Sequence, residues 1–332
     1  MVKLYPREGY DKAEYLSKKV RGVIDLIRPF TLLAPAVGGV SAGLIGLSAA
    51  NDYTLSGPLI INNLTALAWG VSTLVLINAA SNSLNAAYDA DIDLVNKPYR
   101  PVPAGVVTKD EARSFAWVLY LVTIWRAASA FQLTYSFLVL CIMLITIGYS
   151  MPPLRFKQRL WWSNISVAWA RGMLGFVAAW SIFDDPLLPH NGLPFDLAPF
   201  TIGAIMFLFL VGATTTKDFT DIEGDRRFGM NTLPVVYGPR KAARYSSPFL
   251  VAPFLLMPIA AYLGILRPQA ALLAVLVVWG FYLIYLLDRS KFEQDTKLEN
   301  SPVWKHMYLI LLALQLGFLV VYVFPIPDPF VF

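Results

Sequence analysis

Long apolar runs separated by short polar loops dominate the chain. A helix needs about 20 mostly apolar residues to cross a bilayer, and such runs fall near 29–50, 64–88, 113–131, 133–151, 162–183, 197–216, 246–266, 268–287 and 306–325. The pattern predicts an all-α integral membrane protein: nine transmembrane helices around a central lipid-accessible cavity, capped by cytoplasmic loops. The third and fourth runs are separated by little more than Gln132, and the seventh and eighth by Arg267-Pro268, so each pair reads as a tight helical hairpin. Residues 1–28 form a charged N-terminal segment with no apolar core of its own, which speaks against a cleavable signal peptide. That segment reads either as an amphipathic helix on the membrane surface or as a solvated face. Residues 29–332 read as one membrane domain. A faint internal echo, four helices apart, hints at duplicated four-helix halves plus one extra helix.

The basic residues set an orientation. Of 27 Lys and Arg, 24 fall in the segments 1–28, 91–113, 152–161, 217–245 and 288–305, while 51–63 and 184–196 contain none. With nine spans, all five basic segments share one side. The positive-inside rule makes that side and the N-terminus cytoplasmic and the tail 325–332 external.

Composition narrows the chemistry. Only 15% of residues are charged and 57% are hydrophobic, against about 25% charged for a soluble globule, so much of the surface must face lipid. The net charge of +5 is explained by the orientation signal, and no nucleic-acid partner is expected. A single cysteine, Cys141, excludes an intrachain disulfide and reads as a small hydrophobe. Two distant histidines, His190 and His306, argue against a histidine metal site or triad. No Walker loop or dinucleotide fingerprint is present.

Two acidic clusters carry the candidate chemistry. In the first, Asn85, Asp89 and Asp93 recur at i, i+4 and i+8, with Asn78 and Asn82 extending the same helical face backwards; Asp91 points off it. In the second, Lys217 precedes Asp218, Asp221 and Asp225, which again share a face at the end of the sixth span. Carboxylates this close repel unless a cation or hydrogen-bond donors hold them ionised. Magnesium, which takes one or two carboxylates and completes its shell with water and phosphate oxygens, suits such pairs. The metal ligands expected are Asp89, Asp93, Asp221 and Asp225, holding about two Mg²⁺ that bridge one diphosphate. One cluster alone would read equally well as solvated charge at a helix end. Two on the same side, each with basic neighbours, favour a site. Those neighbours are Arg100 after the first cluster, Lys217 and Arg226 around the second, and Arg155 and Lys157 in the Pro-rich loop that follows Tyr149.

With these motifs in view, the chain resembles the UbiA superfamily of intramembrane prenyltransferases. The resemblance rests on Asn85-xxx-Asp89-xxx-Asp93, on the trailing run Arg100-Pro101-Val-Pro103-Ala-Gly105, on Lys217-Asp218-xx-Asp221-xx-Gly224-Asp225-Arg226, and on their positions after spans two and six. Arg28-Pro29 at the start of span one is similar to the family's opening. The stretch Tyr149-Ser-Met-Pro-Pro-Leu-Arg155-Phe-Lys157 departs from the family's frequent Tyr-xxx-Lys and looks more like the homogentisate, chlorophyll-synthase and archaeal ether-lipid branches; it leaves the lysine's part open between Arg155 and Lys157. The resemblance implies an enzyme of the EC 2.5.1 type. A polyprenyl diphosphate lies with its head between the clusters and its tail among apolar helices. Mg²⁺, Lys217, Arg100 and Arg155 or Lys157 stabilise the departing diphosphate, Tyr149 or Tyr88 faces the allylic cation, and Asn85 orients an aspartate or a metal-bound water. A hydrophobic acceptor then attacks. The main expectation is an aromatic quinone precursor; the alternatives are geranylgeranylglyceryl phosphate and a chlorophyllide-like macrocycle.

Two arginines interrupt the apolar runs. Arg171 lies mid-span, where an uncompensated charge costs about 2.5–3.5 kcal/mol, so it should face a polar cavity and meet an acceptor's carboxylate or phosphate, or else pin its helix to a neighbour. Arg126 lies near a span end and can snorkel. Two other readings compete. A CDP-alcohol phosphotransferase needs an Asp-Gly and Ala-Arg element ahead of its carboxylates, which is absent here. An ion-coupled transporter should carry its carboxylates near the bilayer midplane on broken helices, whereas these lie at the rim.

Overall fold

The computed structural model describes residues 12–130, 132–189, 195–289, 302–324 and 326. His190, residues 290–301 and nearly all of the expected external tail lie outside them. The regular elements among the described residues are all helices, apart from one isolated bridge between Arg159 and Asn231. A surface helix α1 (Lys12–Leu26) leads through a left-handed turn at Arg28 (φ 52°) into α2 (Leu33–Ala49). The long α3 (Gly57–Tyr88) is followed at once by the short α4 (Ala90–Asn96), then by the hairpin of α5 (Lys109–Ala128) and α6 (Leu133–Ser150). α7 (Leu160–Ala168), a π-helical turn (Trp169–Leu174) and α8 (Gly175–Trp180) form one continuous rod. α9 (Leu197–Ala213) ends in three short helices, α10 (Thr215–Asp218), α11 (Ile222–Arg227) and α12 (Leu233–Tyr237). α13 (Pro239–Ser246), α14 (Ala252–Tyr262), a 3₁₀ stretch (Pro268–Val275), α15 (Leu276–Asp288) and α16 (Pro302–Val323) complete the bundle.

Every predicted span coincides with a helical segment. Seven segments are long and apolar enough to cross a membrane: 14–49, 57–88, 133–150, 197–218, 239–262, 268–288 and 302–323. The other two, α5 and the α7–α8 rod, carry Arg126 and Asn164 with Arg171 in their apolar stretches, which lowers their hydropathy below that mark. Helix starts differ from the expected ones where capping outweighs polarity. α3 begins at Gly57 rather than near 64, because the Ser56 hydroxyl accepts a hydrogen bond from the Leu59 amide (3.3 Å) and Pro58 suits the first turn, despite Asn62 and Asn63. At 32 residues α3 is about 48 Å long, well beyond the roughly 30 Å apolar core of a bilayer. α5 starts with a full capping box between Thr108 and Glu111.

Lipid tails are as apolar as leucine, so helices in a membrane associate by close packing and hydrogen bonds. α2 supplies the small-residue face: Gly39 and Gly43 meet Val71 and Leu67 of α3, and Gly46 meets the backbone at Trp180. Arg126 is absorbed structurally. Its guanidinium stacks over Trp69 at 3.7 Å and donates to Thr73 Oγ1 (3.0 Å), Ser72 Oγ (2.6 Å) and the Trp69 carbonyl (2.9 Å), tying α5 to α3. The apolar core runs through the bundle and leaves one large cavity open at the end where both acidic clusters lie.

Candidate active site

The cavity has a volume of about 630 Å³. Its lower walls are apolar, with Leu74, Ile77, Ile142, Phe176 and Met206 among them; its mouth is polar. Of the residues singled out from sequence, Arg28, Asn85, Asp89, Asp93, Arg100, Tyr149, Lys157, Arg171, Lys217, Asp218, Asp221 and Asp225 all line it. Arg155 and Arg226 do not. Arg226 is exposed on α11, directed away from the mouth, because helical spacing from Asp225 turns it by about 100°. Tyr88 also stays outside the lining.

α3 ends at Tyr88 and α4 restarts at Ala90, so Asp89 caps the junction and Asp93 sits one turn into α4. Each carboxylate of this first cluster has its own cation. Asp89 pairs with the buried Lys157, whose ammonium also lies 3.4 Å from Asn85 Oδ1. The Ser150 hydroxyl is 3.3 Å from the same oxygen. Asp93 accepts from Arg100 NH1 on both oxygens at 3.0 Å. Asp91, off this face as its spacing implied, pairs in solvent with Lys109 at 2.8 Å. Burial raises Asp93 above the usual carboxylate range, with Arg100 opposing; burial likewise lowers Lys157, with Asp89 opposing.

Which basic residue the loop after α6 delivers is decided by the backbone. Arg155 takes a left-handed conformation (φ 38°), and the chain then turns so that Lys157 points inward. This loop is laced to the loop after the second cluster: Leu160 N donates to Asn231 O at 2.7 Å, and Asn231 N donates to Gln158 O at 3.1 Å.

The second cluster is arranged differently. Asp218 ends α10, and Asp221 caps α11, which carries Asp225. Lys97, from the loop after the first cluster, crosses over to Asp221 at 2.5 Å. Beside it, Asn96 clamps both clusters together, donating to the Asp221 carbonyl at 3.0 Å and accepting from the Gly224 amide at 2.8 Å. A Cβ at Gly224 would overlap the Asn96 side chain, so this approach requires glycine. Asp221 also accepts from Thr220, and Asp225 from Thr232 at 3.2 Å. Burial pushes Asp221 up, but Lys97, Arg100 and the Thr220 hydroxyl together outweigh it and hold the carboxyl below its usual range. Asp225 has no such partner: burial, reinforced by Asp218 and Asp221, pushes it up to about 8. One oxygen of Asp218, Oδ2, is buried without a hydrogen-bond partner. Lys217 donates to Tyr149 OH at 2.6 Å and lies 5.1 Å from its ring centre.

The residues missed from sequence are Asn96 and Lys97 as the bridge between clusters, together with Tyr308 and Gln315 of α16 in the cavity wall. Only the position of Asn96-Lys97 directly after the first cluster signalled them. Asn78 and Asn82 line the cavity on the same face as Asn85 and also hold the turn before α2: Asn78 donates to Thr31 O (3.1 Å), and Asn82 to Ile27 O (2.8 Å) and Thr31 Oγ1 (2.9 Å).

Among the described residues, no three His, Cys, Asp or Glu side chains gather as a self-sufficient metal cage. The donor set nonetheless suits a hard divalent cation. An orphaned buried Asp218 oxygen and a carboxylate held protonated by its neighbours mark a local excess of acceptors. Mg²⁺ needs only one or two carboxylates when phosphate oxygens complete its shell.

Comparison with known proteins gives a consistent result. Residues 39–310 match the UbiA prenyltransferase family. Digeranylgeranylglyceryl phosphate synthase of Natronomonas pharaonis is 29% identical over 258 residues, covering 75% of this chain and 80% of the relative. Chlorophyll synthase of Avena sativa is 29% identical over 227 residues, 66% of this chain and 55% of the relative. Among solved structures, a UbiA homologue of Archaeoglobus fulgidus bound to GPP and Mg²⁺ shares the fold, with a TM-score of 0.68 at 20% identity over 91% of this chain and 99% of that one.

Proposed function

The chain belongs to the UbiA prenyltransferase family, and from that premise we propose that it carries out Mg²⁺-dependent transfer of an isoprenyl group from an allylic diphosphate to a hydrophobic acceptor within the membrane. The observation that carries this reading is the convergence of the two aspartate clusters, cross-linked by Lys97 and Asn96, on the mouth of one apolar cavity. A diphosphate head fits that mouth, and an isoprenyl tail fits the walls below it.

Asp89, Asp93, Asp221 and Asp225 would hold Mg²⁺, which supplies Lewis-acid polarisation of the diphosphate oxygens when bound. The protein's own cations do the remaining electrostatic work. Arg28, Lys97, Arg100 and Lys157 surround the mouth, so negative charge growing on the departing diphosphate meets preorganised donors and needs no solvent reorganisation. Tyr149, fixed by Lys217, presents a ring in the cavity wall that suits an allylic cation. The apolar walls keep water from that cation. The carbon–oxygen bond to diphosphate breaks, a bond to the acceptor forms, and diphosphate and a proton leave.

For the acceptor, the relatives favour the lipid alternative, geranylgeranylglyceryl phosphate, over an aromatic quinone precursor, because the match to the glyceryl phosphate synthases extends over most of their length. All nine helical segments span the bilayer in this reading. The N-terminus and the site lie on the cytoplasmic side, as the basic loops imply. The test is incubation of purified protein with Mg²⁺, labelled geranylgeranyl diphosphate and an acceptor panel. Labelled ether lipid is the expected product; free diphosphate with no adduct in any lane would overturn the transferase reading.

A further inference from the structure

Beneath the diphosphate mouth, a second set of polar groups has no part in gripping a diphosphate. Arg171 leaves the α7–α8 rod from its π-helical turn. Such turns insert an extra residue and re-aim a side chain, and they concentrate at functional sites. Gly172, within the turn, lies directly against the backbone of Phe207 in α9, where a Cβ would clash. The guanidinium is exposed, yet its surroundings are the cavity. Counting along the rod, it starts about 16 Å from the Leu160 end, at a depth where an unpaired charge is costly. The groups within its electrostatic reach are Tyr149, Tyr308 and Lys217, with no carboxylate among them. Gln315, in the same wall and only 6% exposed, has a side-chain oxygen with no partner. Tyr308 is anchored, its hydroxyl donating to Phe30 O (3.0 Å) and accepting from Ala34 N (2.9 Å).

Arg171 and Lys217 face the same cavity within electrostatic reach of each other, the one carboxylate near them being Asp218, 4.0 Å from Lys217. Gln315, two turns along α16 from Tyr308, adds an unsatisfied carbonyl acceptor to that cavity's wall. A merely structural arginine would have found a carbonyl or a carboxylate, as Arg126 does. We propose that Arg171, with Lys217 and Gln315, forms the acceptor's head-group site. Arg171 and Lys217 take an anionic oxygen group of the acceptor, a phosphoryl or a carboxylate, and the Gln315 oxygen accepts from an acceptor hydroxyl. This deepens the transferase reading and rests on it. It makes Arg171 the residue that selects charged acceptors over neutral ones.

The experiment separates the two claims. Isothermal titration with geranylgeranyl diphosphate and Mg²⁺ first verifies donor binding to the wild type and to Arg171→Gln. Equal donor affinity in both shows that the variant is folded and that the donor site is intact; loss of donor binding by the wild type itself would sink the transferase reading, and this one with it. Steady-state kinetics then compare a phosphorylated glyceryl ether lipid, its dephosphorylated form and a homogentisate-type aromatic acid. The wild type should prefer an anionic acceptor to the neutral lipid, and Arg171→Gln should raise the KM for that acceptor about 10- to 100-fold, the loss expected for a charge-assisted hydrogen bond. The KM for the donor should stay unchanged, and Arg171→Lys should recover part of the loss. Preference for the phosphoryl or the carboxyl acceptor identifies the anion; either supports the site. Equal wild-type turnover of charged and neutral lipid would overturn it, as would an Arg171→Gln defect equal for both. Should Arg171→Gln fail to fold, the wild-type comparison and Arg171→Lys decide alone.

Discussion

The two acidic clusters look interchangeable in sequence and behave as opposites in the fold. In the first, each carboxylate has a dedicated cation: Lys157 on Asp89, Arg100 on Asp93 and Lys109 on Asp91. In the second, three carboxylates share two cations: Lys97, lent from the first cluster's loop, lies 2.5 Å from Asp221, Lys217 lies 4.0 Å from Asp218, and Asp225 has only the Thr232 hydroxyl. The consequences are an orphaned Asp218 oxygen and an Asp225 pushed up to about 8. Burial alone does not distinguish the clusters, since Asp93 is equally buried. The difference is the count of positive charges within reach. The first cluster is electrostatically complete before any ligand arrives, whereas the second is short of positive charge and gains most from a divalent cation.

The largest effect should come from removing one carboxylate of either cluster. Asp89→Ala and Asp221→Ala should each lower Mg²⁺-dependent prenyl transfer at least about 100-fold, measured as labelled product, with membrane insertion unchanged. Wild-type turnover in either variant would break the assignment. Next, Lys97→Met leaves the half-buried Asp221 without its nearest cation, which should cost about 1–2 kcal/mol of stability, read as the unfolding midpoint of metal-free protein in detergent. Added Mg²⁺ should recover much of that loss.

The contrast sharpens with pH. Asp225 keeps its proton in the folded protein up to about 8, while the unfolded chain ionises near the ordinary carboxylate value. The native state therefore binds the extra proton across that window, and stability of the metal-free protein falls as pH rises from about 4 to about 8. Asp225→Asn should flatten that slope in thermal unfolding; an unchanged slope would show that another group carries it. The smallest effect belongs to Lys109→Ala. Its pair with Asp91 is solvent-exposed, so stability should move by no more than about 0.5 kcal/mol and activity should hold.

Much of this molecule was legible in its sequence. Apolar run length marked every main helical segment, seven of them long and apolar enough to cross a bilayer, since the bilayer imposes that length on the chain directly. The i, i+4 spacing of Asn85, Asp89 and Asp93 placed them together, and all three line the cavity. The cross-connections were not legible. Lys97 and Asp221 lie far apart in the chain, and nothing local says which carboxylate a lysine will reach. The choice of Lys157 over Arg155 follows from a left-handed residue in a turn whose geometry no periodicity encodes. Asn78 and Asn82 share the cavity wall with Asn85 and in addition tie down the α1–α2 turn, a long-range contact that spacing along one helix does not encode. The π turn at Arg171, packed against α9 through Gly172, has no signature in the run Ala-Arg-Gly-Met.

The most direct test of the central claim is calorimetric titration of the purified chain with geranylgeranyl diphosphate, with and without Mg²⁺, in wild type, Asp89→Ala and Asp221→Ala. Binding of one diphosphate per chain that requires the metal and disappears in both variants is the predicted result. Undiminished binding without Mg²⁺, or in either variant, would contradict a site shared between the two clusters.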